Sequence, residues 1–261
     1  REKGDYAVHS IYGARVSFPP SMNDHKILVK ASRVRHDMFC TTKGWEKETP
    51  SGMEIDRFDN YSHHFAIMAR VSNGNQAGEV LLSYLRLVDG SRVRGIEDHR
   101  VVPMLQAGTK LPQALIDKVQ EGRAVEVSRF CVNPYFNPTL FTSSGCKVRS
   151  SDLNLLATWH ECVNRLPEVK SFIAILEPRL CKRMRSFGVD IKQVGDPIEH
   201  RGTRIPIEIN LRSVRNRVIL SALKYKFNKA LGGAFNSWKA NSRAEDMDQP
   251  LVFEANLSFE K

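Results

Sequence analysis

The chain has 261 residues, and its 39 lysines and arginines outnumber 29 aspartates and glutamates to give a net charge of +10. The proportions of hydrophobic (41%) and charged (26%) residues are ordinary globular values, and no apolar stretch approaches the ~20 residues that a membrane-spanning helix needs. Five cysteines without a CxxC pair fit no closed disulfide framework, so we expect a reducing, cytoplasmic setting. The positive charge favours an acidic partner, but the absence of zinc-finger and ribonucleoprotein patterns argues against nucleic acid.

Hydrophobic periodicity predicts alternating helices and strands after an irregular N-terminal arm, residues 1–21, which contains a Phe-Pro-Pro breaker. An Asn-Gly-Asn sequence at 73–75 separates two strand-like runs and indicates a hairpin. In chain order we predict a helix over 22–40, strands over 65–71 and 79–88, a helix over 112–122, a strand over 124–132, a helix over 153–165, a strand over 171–176, a helix over 180–187, and strands over 189–194 and 204–211.

This order of elements predicts an α/β fold, a mixed central sheet flanked by helices, in a domain that spans residues 22–211. Residues 212–261 form a separate C-terminal extension in this prediction. From Leu211 to Ala244 the chain has eight basic residues and no acidic one. Apolar residues recur there at helical spacing; they are Val214, Val218, Leu223, Phe227 and Leu231. The pattern predicts a basic amphipathic helix whose apolar stripe packs on the sheet domain. Contact with a membrane surface, or docking of an acidic carrier protein, is the alternative role for this helix.

The densest group of polar residues begins in the first predicted helix, where Arg35 and Phe39 lie four residues apart on one face. Trp45 follows in the next loop, and then Glu54, Asp56 and Asp59 occur within six residues. Such carboxylates bind either an amine or a metal, and their spacing alone does not distinguish the two. The cluster lacks the glycine and the distal glutamate of a calcium-binding EF-hand. The adjacent histidines at 63 and 64 would face opposite ways in a strand, so we expect no metal site.

The polar group continues onto two predicted strands. Arg86 lies near the end of one, and on the other Glu126 and Ser128 share a face while Arg129 points to the opposite one. Taken without further information, carboxylates and arginines near strand ends more often form a structural ion-pair network than a catalytic one.

Considered together and in order, these residues form a recognisable pattern. The motifs are Arg35-x-x-x-Phe39, Trp45, Glu54-x-Asp56-x-x-Asp59, Arg86-Leu87 and Glu126-Val127-Ser128-Arg129-Phe130. The pattern resembles the autoinducer synthases: the acyl-homoserine-lactone synthases and their relatives, the long-chain N-acyl amino acid synthases and exosortase-associated acyltransferases, which share a fold with the GCN5-related N-acetyltransferases (GNATs). Downstream motifs look closer to the N-acyl amino acid and exosortase-associated branch; these are Ile175-Leu176-Glu177-Pro178, Phe187-Gly188, Gly195-Asp196-Pro197 and Arg201-Gly202-x-Arg204-x-Pro206.

The resemblance implies a reaction in which an α-amine attacks an acyl thioester on the phosphopantetheine of an acyl carrier protein. It implies that Glu126 accepts the amine proton, on a strand whose exposed backbone donors stabilise the oxyanion, and it places Ser128 beside Glu126 as the second candidate catalytic residue. The implied substrate-binding residues are Arg35, Phe39, Trp45, Asp56, Asp59, Arg86 and Arg129. Of these, Arg86 and Arg129 match positions that tie the carboxylates together.

The Gly-rich loop that binds the pyrophosphate of coenzyme A in acetyltransferases is absent from the sequence between residues 133 and 145. Its absence and the net charge of +10 favour an acyl carrier protein as donor and partner, with no tightly bound cofactor. We therefore predict an enzyme that joins a long-chain fatty acyl group to the α-amine of an amino acid. The alternatives are an acyl-homoserine-lactone synthase that uses S-adenosylmethionine and, from another class, a non-catalytic basic module that binds membranes.

Overall fold

A mixed β-sheet organises the chain in the computed structural model, which describes residues 7–16, 22–73, 76–93, 101–136, 140–141, 147–230, 251–253 and 258–259. In chain order the strands are β1 Ala7–Val16, β2 Ser62–Asn73, β3 Gln76–Val88, β4 Ala124–Val132, β5 Leu140–Phe141, β6 Lys147–Val148, β7 Ser171–Leu176, β8 Ile191–Gln193, β9 Ile198–Glu199, β10 Thr203–Asn210, β11 Leu251–Phe253 and β12 Ser258–Phe259. The main sheet has the order β11-β1-β2-β3-β4-β7-β10-β8, and β9 pairs with β10.

Helices cover both faces of this sheet. They are α1 Met22–Arg35, which continues as a π-helix over His36–Thr42, then α2 Pro103–Gln106, α3 Gln113–Gln120, α4 Ser150–Arg165, α5 Pro178–Ser186 and α6 Val214–Ala230. The helices α1, α2 and α3 lie on one face, and α4, α5 and α6 lie on the other. Among the described residues, no helix combines the length and the apolar character needed to cross a bilayer.

The run of apolar residues in β2 is explained by its central position. Ala66 and Met68 pack into the cluster under α1, whereas Ile67 and Ala69 pack into the cluster under α4. Because both faces of the strand are covered, the sequence is nearly continuously apolar instead of alternating. The same reasoning applies to β7, which lies between β4 and β10.

The feature that shapes the site is the separation of β4 from β7. The two strands are parallel and pair only over their first residues, from Ala124 with Ser171 to Glu126 with Ile173. Beyond Glu126, β4 stays paired with β3, while β7 stays paired with β10. The sheet therefore divides after Glu126 and leaves a cleft between the carboxyl-terminal ends of two parallel strands.

The predicted fold class, a mixed sheet flanked by helices, is confirmed, and the strands over 124–132 and 171–176 have the predicted bounds. The hairpin is confirmed as the β2–β3 pair, although residues 74 and 75 of its turn lie outside the described residues. The prediction of an irregular arm is wrong for residues 7–16, which form β1 between β2 and β11. Its apolar residues are interrupted by polar ones and a glycine, so periodicity alone did not reveal the strand. Both β1 and β11 extend the sheet beyond the predicted domain of residues 22–211.

The predicted basic helix is present over Val214–Ala230, but its predicted packing face is wrong. Val214 and Val218 are 77% and 62% exposed, whereas Asn216 and Leu220 are buried. The Asn216 side chain accepts a hydrogen bond from the Asp190 backbone N–H (2.8 Å) and donates one to the carbonyl at the end of β10 (2.7 Å). The hydrogen bonds of Asn216 therefore set the rotation of α6 about its axis. The spacing of apolar residues alone does not reveal this. The predicted stripe beyond residue 230 lies outside the described residues.

Candidate active site

A buried network of arginines and carboxylates joins the end of α1, the loop before β2, and β3. Arg86 of β3 is fully buried and binds both oxygens of Asp56 with two parallel 2.6 Å hydrogen bonds. The same guanidinium donates to Asp59 Oδ1 (2.6 Å), which also accepts from Arg35 Nη1 (2.6 Å). Arg35 Nε donates to Glu54 Oε2 at 2.5 Å. Paired and desolvated ions of this kind are costly to separate, because each partner left behind would remain buried and uncompensated.

Arg129 of β4 joins the same network, contrary to the prediction that it points to the opposite face. It donates to Glu54 Oε1 from Nε (3.1 Å) and Nη2 (2.9 Å), and its Nη2 lies 3.1 Å from Asp56 Oδ2. The reason is a β-bulge: Arg86 pairs with Ser128 and Tyr84 with Cys131, so β4 has an extra residue there. Arg129 has a φ of 52°, which breaks the alternation of side chains along the strand.

These contacts determine the ionisation of the carboxylates. Burial alone would raise the pKa of Asp59, but the adjacent Arg35 and Arg86 outweigh it and hold the pKa well below its usual value. The pKa of Asp56 is likewise lowered, because the hydrogen bond and charge of Arg86 outweigh burial. Both aspartates are therefore anions with arginine partners. Among the residues that the structure describes, no group of three histidine, cysteine or acidic side chains is placed to hold a metal ion.

Two aromatic residues named from the sequence close one side of the network. Phe39, in the π-helix, stacks on Trp45 with ring centroids 6.1 Å apart and an interplanar angle of 14°. The Arg129 guanidinium lies 5.6 Å from the Phe39 centroid, and the Arg204 guanidinium lies 5.5 Å from that of Trp45. One cation–π contact thus attaches the π-helix to β4, and the other attaches the loop that carries Trp45 to β10.

Glu126 occupies a different environment, at the point where β4 and β7 separate. Its side chain is buried, and Oε2 accepts a 2.8 Å hydrogen bond from the Met104 backbone N–H at α2. Burial raises its pKa to about 8, since that hydrogen bond and the charges of Arg86 and Arg129 oppose the effect only in part. Ser128, two residues along the strand, accepts a 2.9 Å hydrogen bond from Arg86 Nε. The arginine network is thereby connected to the strand that carries Glu126.

An apolar patch lies along the same strands, on the face of the sheet opposite to the Glu126 side chain. Beyond Glu126 several hydrophobic side chains on β4, β7, β10 and α5 are only partly buried, and all pack against one core cluster; they are Val127, Phe130, Leu176, Met184 and Ile205. The patch lies along the strands that diverge, so an apolar ligand entering the cleft would contact it.

The structure brings together every residue named from the sequence, and it adds groups that sequence reasoning missed. Glu46 accepts hydrogen bonds from Arg129 (3.0 Å) and from Arg201 (2.6 Å), and the Met104 N–H holds Glu126. Arg201 belongs to a motif quoted above, but the motif gave it no role. No sequence signal marks the Met104 backbone. His64 contacts Tyr84 Oη (2.5 Å) and the Asp59 carbonyl (2.9 Å), and burial lowers its pKa to about 4.

Residues 34–140, which include the whole network and Glu126, match the family model described as an acetyltransferase (GNAT) domain. This part of the chain is therefore similar to GNAT acetyltransferase domains. The main sheet of the chain, which divides after Glu126, is consistent with this match, and the predicted GNAT fold is confirmed. The match to this family model indicates an acyltransferase. No curated protein sequence matches the chain.

Solved structures similar to this chain include acyl-homoserine lactone synthases. MesI, described as a CoA-dependent acyl-homoserine lactone synthase, has a TM-score of 0.56 at 20% identity, covering 81% of this chain and 94% of its own. BjaI, also described as CoA-dependent and solved with SAM and isopentyl-CoA, has a TM-score of 0.54 at 18% identity (82% and 89%). TofI, in a complex with an inhibitor and MTA, has a TM-score of 0.53 at 16% identity (82% and 99%). These matches show a common fold.

Proposed function

We propose that the protein is an N-acyltransferase that moves a fatty acyl group from a phosphopantetheine thioester to the α-amine of an amino acid. The observation that carries this proposal is the position of Glu126. It is a buried carboxyl at the last paired residue before β4 and β7 separate, and the partly buried apolar patch lies along the same diverging strands on the other face of the sheet. A proton acceptor thus adjoins a cleft that suits an apolar acyl chain.

Glu126 accepts the proton in this mechanism. The neutral amine attacks the thioester carbonyl carbon, and the carboxylate takes the proton that the nitrogen loses. The C–S bond then breaks as the amide forms, and the departing thiolate regains a proton from the Glu126 carboxyl, which restores the base. A pKa of about 8 matches this task, since the group both accepts and returns a proton near neutral pH.

Carbonyl activation falls to the backbone of β4. In a continuous sheet, the N–H groups on the β7 side of β4 would pair with β7. Here that pairing ends at Glu126, so the N–H groups beyond it have no partner strand among the described residues. Those donors are then directed at the cleft, where they polarise the thioester carbonyl and stabilise the oxyanion. Ser128, bound to Arg86, is held at the same place. The acyl chain lies along the apolar patch, where burial contributes roughly 0.8 kcal/mol per methylene.

We propose an acyl carrier protein as the donor. Residues 133–145 have no pyrophosphate-binding pattern, and α5 carries exposed basic residues without an acidic one: Arg179, Lys182, Arg183 and Arg185. This helix follows β7 directly, and its Met184 belongs to the apolar patch. An acidic protein on α5 would therefore present its thioester arm at the cleft. Because MesI and BjaI are described as CoA-dependent, coenzyme A is the competing donor to test.

The test is an assay of the purified protein with palmitoyl-carrier protein or palmitoyl-CoA and each proteinogenic amino acid. Free thiol and the mass of the acylated product are measured. We expect thiol release with the carrier protein, dependent on an amino acid, and an N-acyl amino acid as product. Equal use of palmitoyl-CoA would contradict a dedicated carrier. Release of methylthioadenosine from S-adenosylmethionine would identify a lactone synthase instead. Liposome binding without thiol release would favour the non-catalytic membrane module.

A further inference from the structure

The two residues other than glycine that have positive φ in the described part of the chain are both arginines. Arg129 has a φ of 52° in the bulge of β4, and Arg201 has a φ of 57° in the turn between β9 and β10. Positive φ is uncommon for residues with a side chain, and a long side chain gains nothing from it. Glycine would occupy either position without strain. The turn and the bulge therefore do not require arginine, and the backbone strain points to a function of the two guanidinium groups.

Both arginines donate to one atom, Oε1 of Glu46. Arg129 Nη2 lies 3.0 Å from that oxygen, and Arg201 Nη2 lies 2.6 Å from it. The contact joins distant parts of the chain, because Arg201 is 155 residues from Glu46 in sequence. The Glu46 backbone is fixed by a hydrogen bond from its N–H to the Phe39 carbonyl (3.1 Å). Its side chain is partly exposed, so it can turn away from the arginines while the loop stays in place.

Glu46 is the carboxylate that the two arginines share. The other partners of Arg129, Glu54 and Asp56, are engaged by Arg35 and Arg86, whereas Arg201 has Glu46 as its ion-pair partner among the described residues. The neighbouring Trp45 ring contacts two further cations, Lys43 at 5.6 Å and Arg204 at 5.5 Å, and Arg204 also pairs with Glu177 at 3.5 Å. Two guanidinium groups that converge on a single carboxylate oxygen form a site for a carboxylate, which arginine binds with fixed geometry.

We propose that Arg129 and Arg201 bind the α-carboxylate of the acyl-accepting amino acid, and that Glu46 occupies this place until the substrate displaces it. The inference rests on the proposed function and names the feature that restricts its amine to an amino acid. Arg129 follows Ser128 on the strand that carries Glu126. A carboxylate held there places the α-amine of the same molecule toward the proposed base. Arg201 is a specificity-determining residue in this assignment.

The decisive variant is Arg201→Gly, which removes the guanidinium where glycine fits the backbone better than arginine does. The amino acid that the wild type acylates best is compared with its C-terminal amide, which has the same side chain and amine without the charge. We expect KM for the amino acid to rise about tenfold or more, KM for the amide and the acyl donor to stay unchanged, and the melting temperature to stay the same or rise. Equal changes for acid and amide, or a change confined to the acyl donor, would overturn the assignment.

Glu46→Gln tests the displacement. Without the competing charge, KM for the amino acid should fall a few-fold while KM for the amide stays constant; a rise in KM for the acid would show that Glu46 supports the site instead of blocking it. Arg33→Gln, which removes one exposed charge from α1, is the matched control and should change neither value. Calorimetric measurement of the binding of the acid and of the amide tests the Arg129–Arg201 site without turnover. If the wild type binds the acid no more tightly than the amide, the carboxylate site is overturned even if acyl transfer occurs. If the wild type binds the acid more tightly but transfers no acyl group, only the proposed reaction is refuted.

Discussion

Two buried carboxyl groups of the candidate active site behave in opposite ways. Asp59 accepts hydrogen bonds from Arg35 and Arg86, and these cations hold its pKa well below the usual value. Glu126 lies on β4 and is more deeply buried than Asp59 (2% against 9% exposed), yet its hydrogen bond comes from a neutral backbone N–H, and burial raises its pKa to about 8. Both groups are buried, so the kind of hydrogen-bond partner decides which carboxylate remains an anion and which one can exchange a proton.

The difference in pKa assigns a structural role to Asp59 and a catalytic role to Glu126. An aspartate that remains ionised at every physiological pH fixes the position of the arginines but cannot take a proton from an amine. A glutamate that titrates near pH 8 can do so, provided that the network around it holds its strand in place. We therefore expect the arginine network to control mainly stability, and Glu126 to control mainly rate.

The largest effect is expected from Arg86→Met. The change leaves Asp56 and Asp59 buried beside an uncharged side chain, which should lower the free energy of unfolding by about 3–5 kcal/mol. Urea denaturation measures it. Arg70→Met is the matched control, since Arg70 is exposed and lies 3.8 Å from an exposed Glu79; its cost should be about 0–1 kcal/mol. Similar costs for the two variants would contradict the structural role of the network.

Glu126→Gln should affect rate more than stability. The amide keeps the shape of the side chain but is not basic, so kcat should fall by about 10²-fold or more. Thiol release at saturating substrate gives this value. Glu161→Gln is a demanding control, because Glu161 is also buried on α4 with a pKa that burial raises, yet it pairs with Arg15 and Arg165 away from the cleft. Near-normal turnover by a folded Glu126→Gln protein would refute the assignment of the base.

The two carboxylates should also give opposite pH dependences of stability. Glu126 has a folded pKa above its unfolded value of about 4.3, so the folded state binds more protons between these values and stability falls as pH rises through them. Asp56 and Asp59 have lowered pKa values, so their contribution is present above about pH 4 and is lost as pH falls. Between pH 5.5 and 7.5 the wild type should lose on the order of 2 kcal/mol that Glu126→Gln does not lose. Parallel pH profiles of the two proteins would contradict this.

The smallest effect concerns salt. Exposed charges are screened when the Debye length falls to about 8 Å near 0.15 M salt, whereas buried pairs are little affected. The KM for acyl carrier protein should therefore rise a few-fold with salt if α5 is the docking surface, while the cost of Arg86→Met should stay constant. Lys182→Gln should raise that KM in low salt, and Arg33→Gln should not. A KM independent of salt would argue against electrostatic docking.

Much of the fold could be predicted from the sequence, because strands buried on both faces and helices with one apolar face leave strong periodic signals. The predicted strands over 124–132 and 171–176 match β4 and β7, and the ordered motifs led to the GNAT fold. Periodicity failed where a polar group determined the packing: Asn216 sets the rotation of α6, so Val214 and Val218 face outward. It also failed for β1, whose apolar residues are interrupted but whose partners, β2 and β11, stabilise it as a strand.

For the site, the sequence by itself determined which residues assemble, since Arg35, Arg86 and the carboxylates before β2 occur in a recognisable order. The tertiary structure decided what each one does. Alternation along a regular strand placed Arg129 on the wrong face, because a bulge and a positive φ depend on the pairing of β4 with β3. The shared contact of Arg129 and Arg201 with Glu46 joins residues far apart in the chain, so no local pattern encodes it. The raised pKa of Glu126 likewise follows from burial at the point where two strands separate, and burial of one side chain is a property of the whole fold.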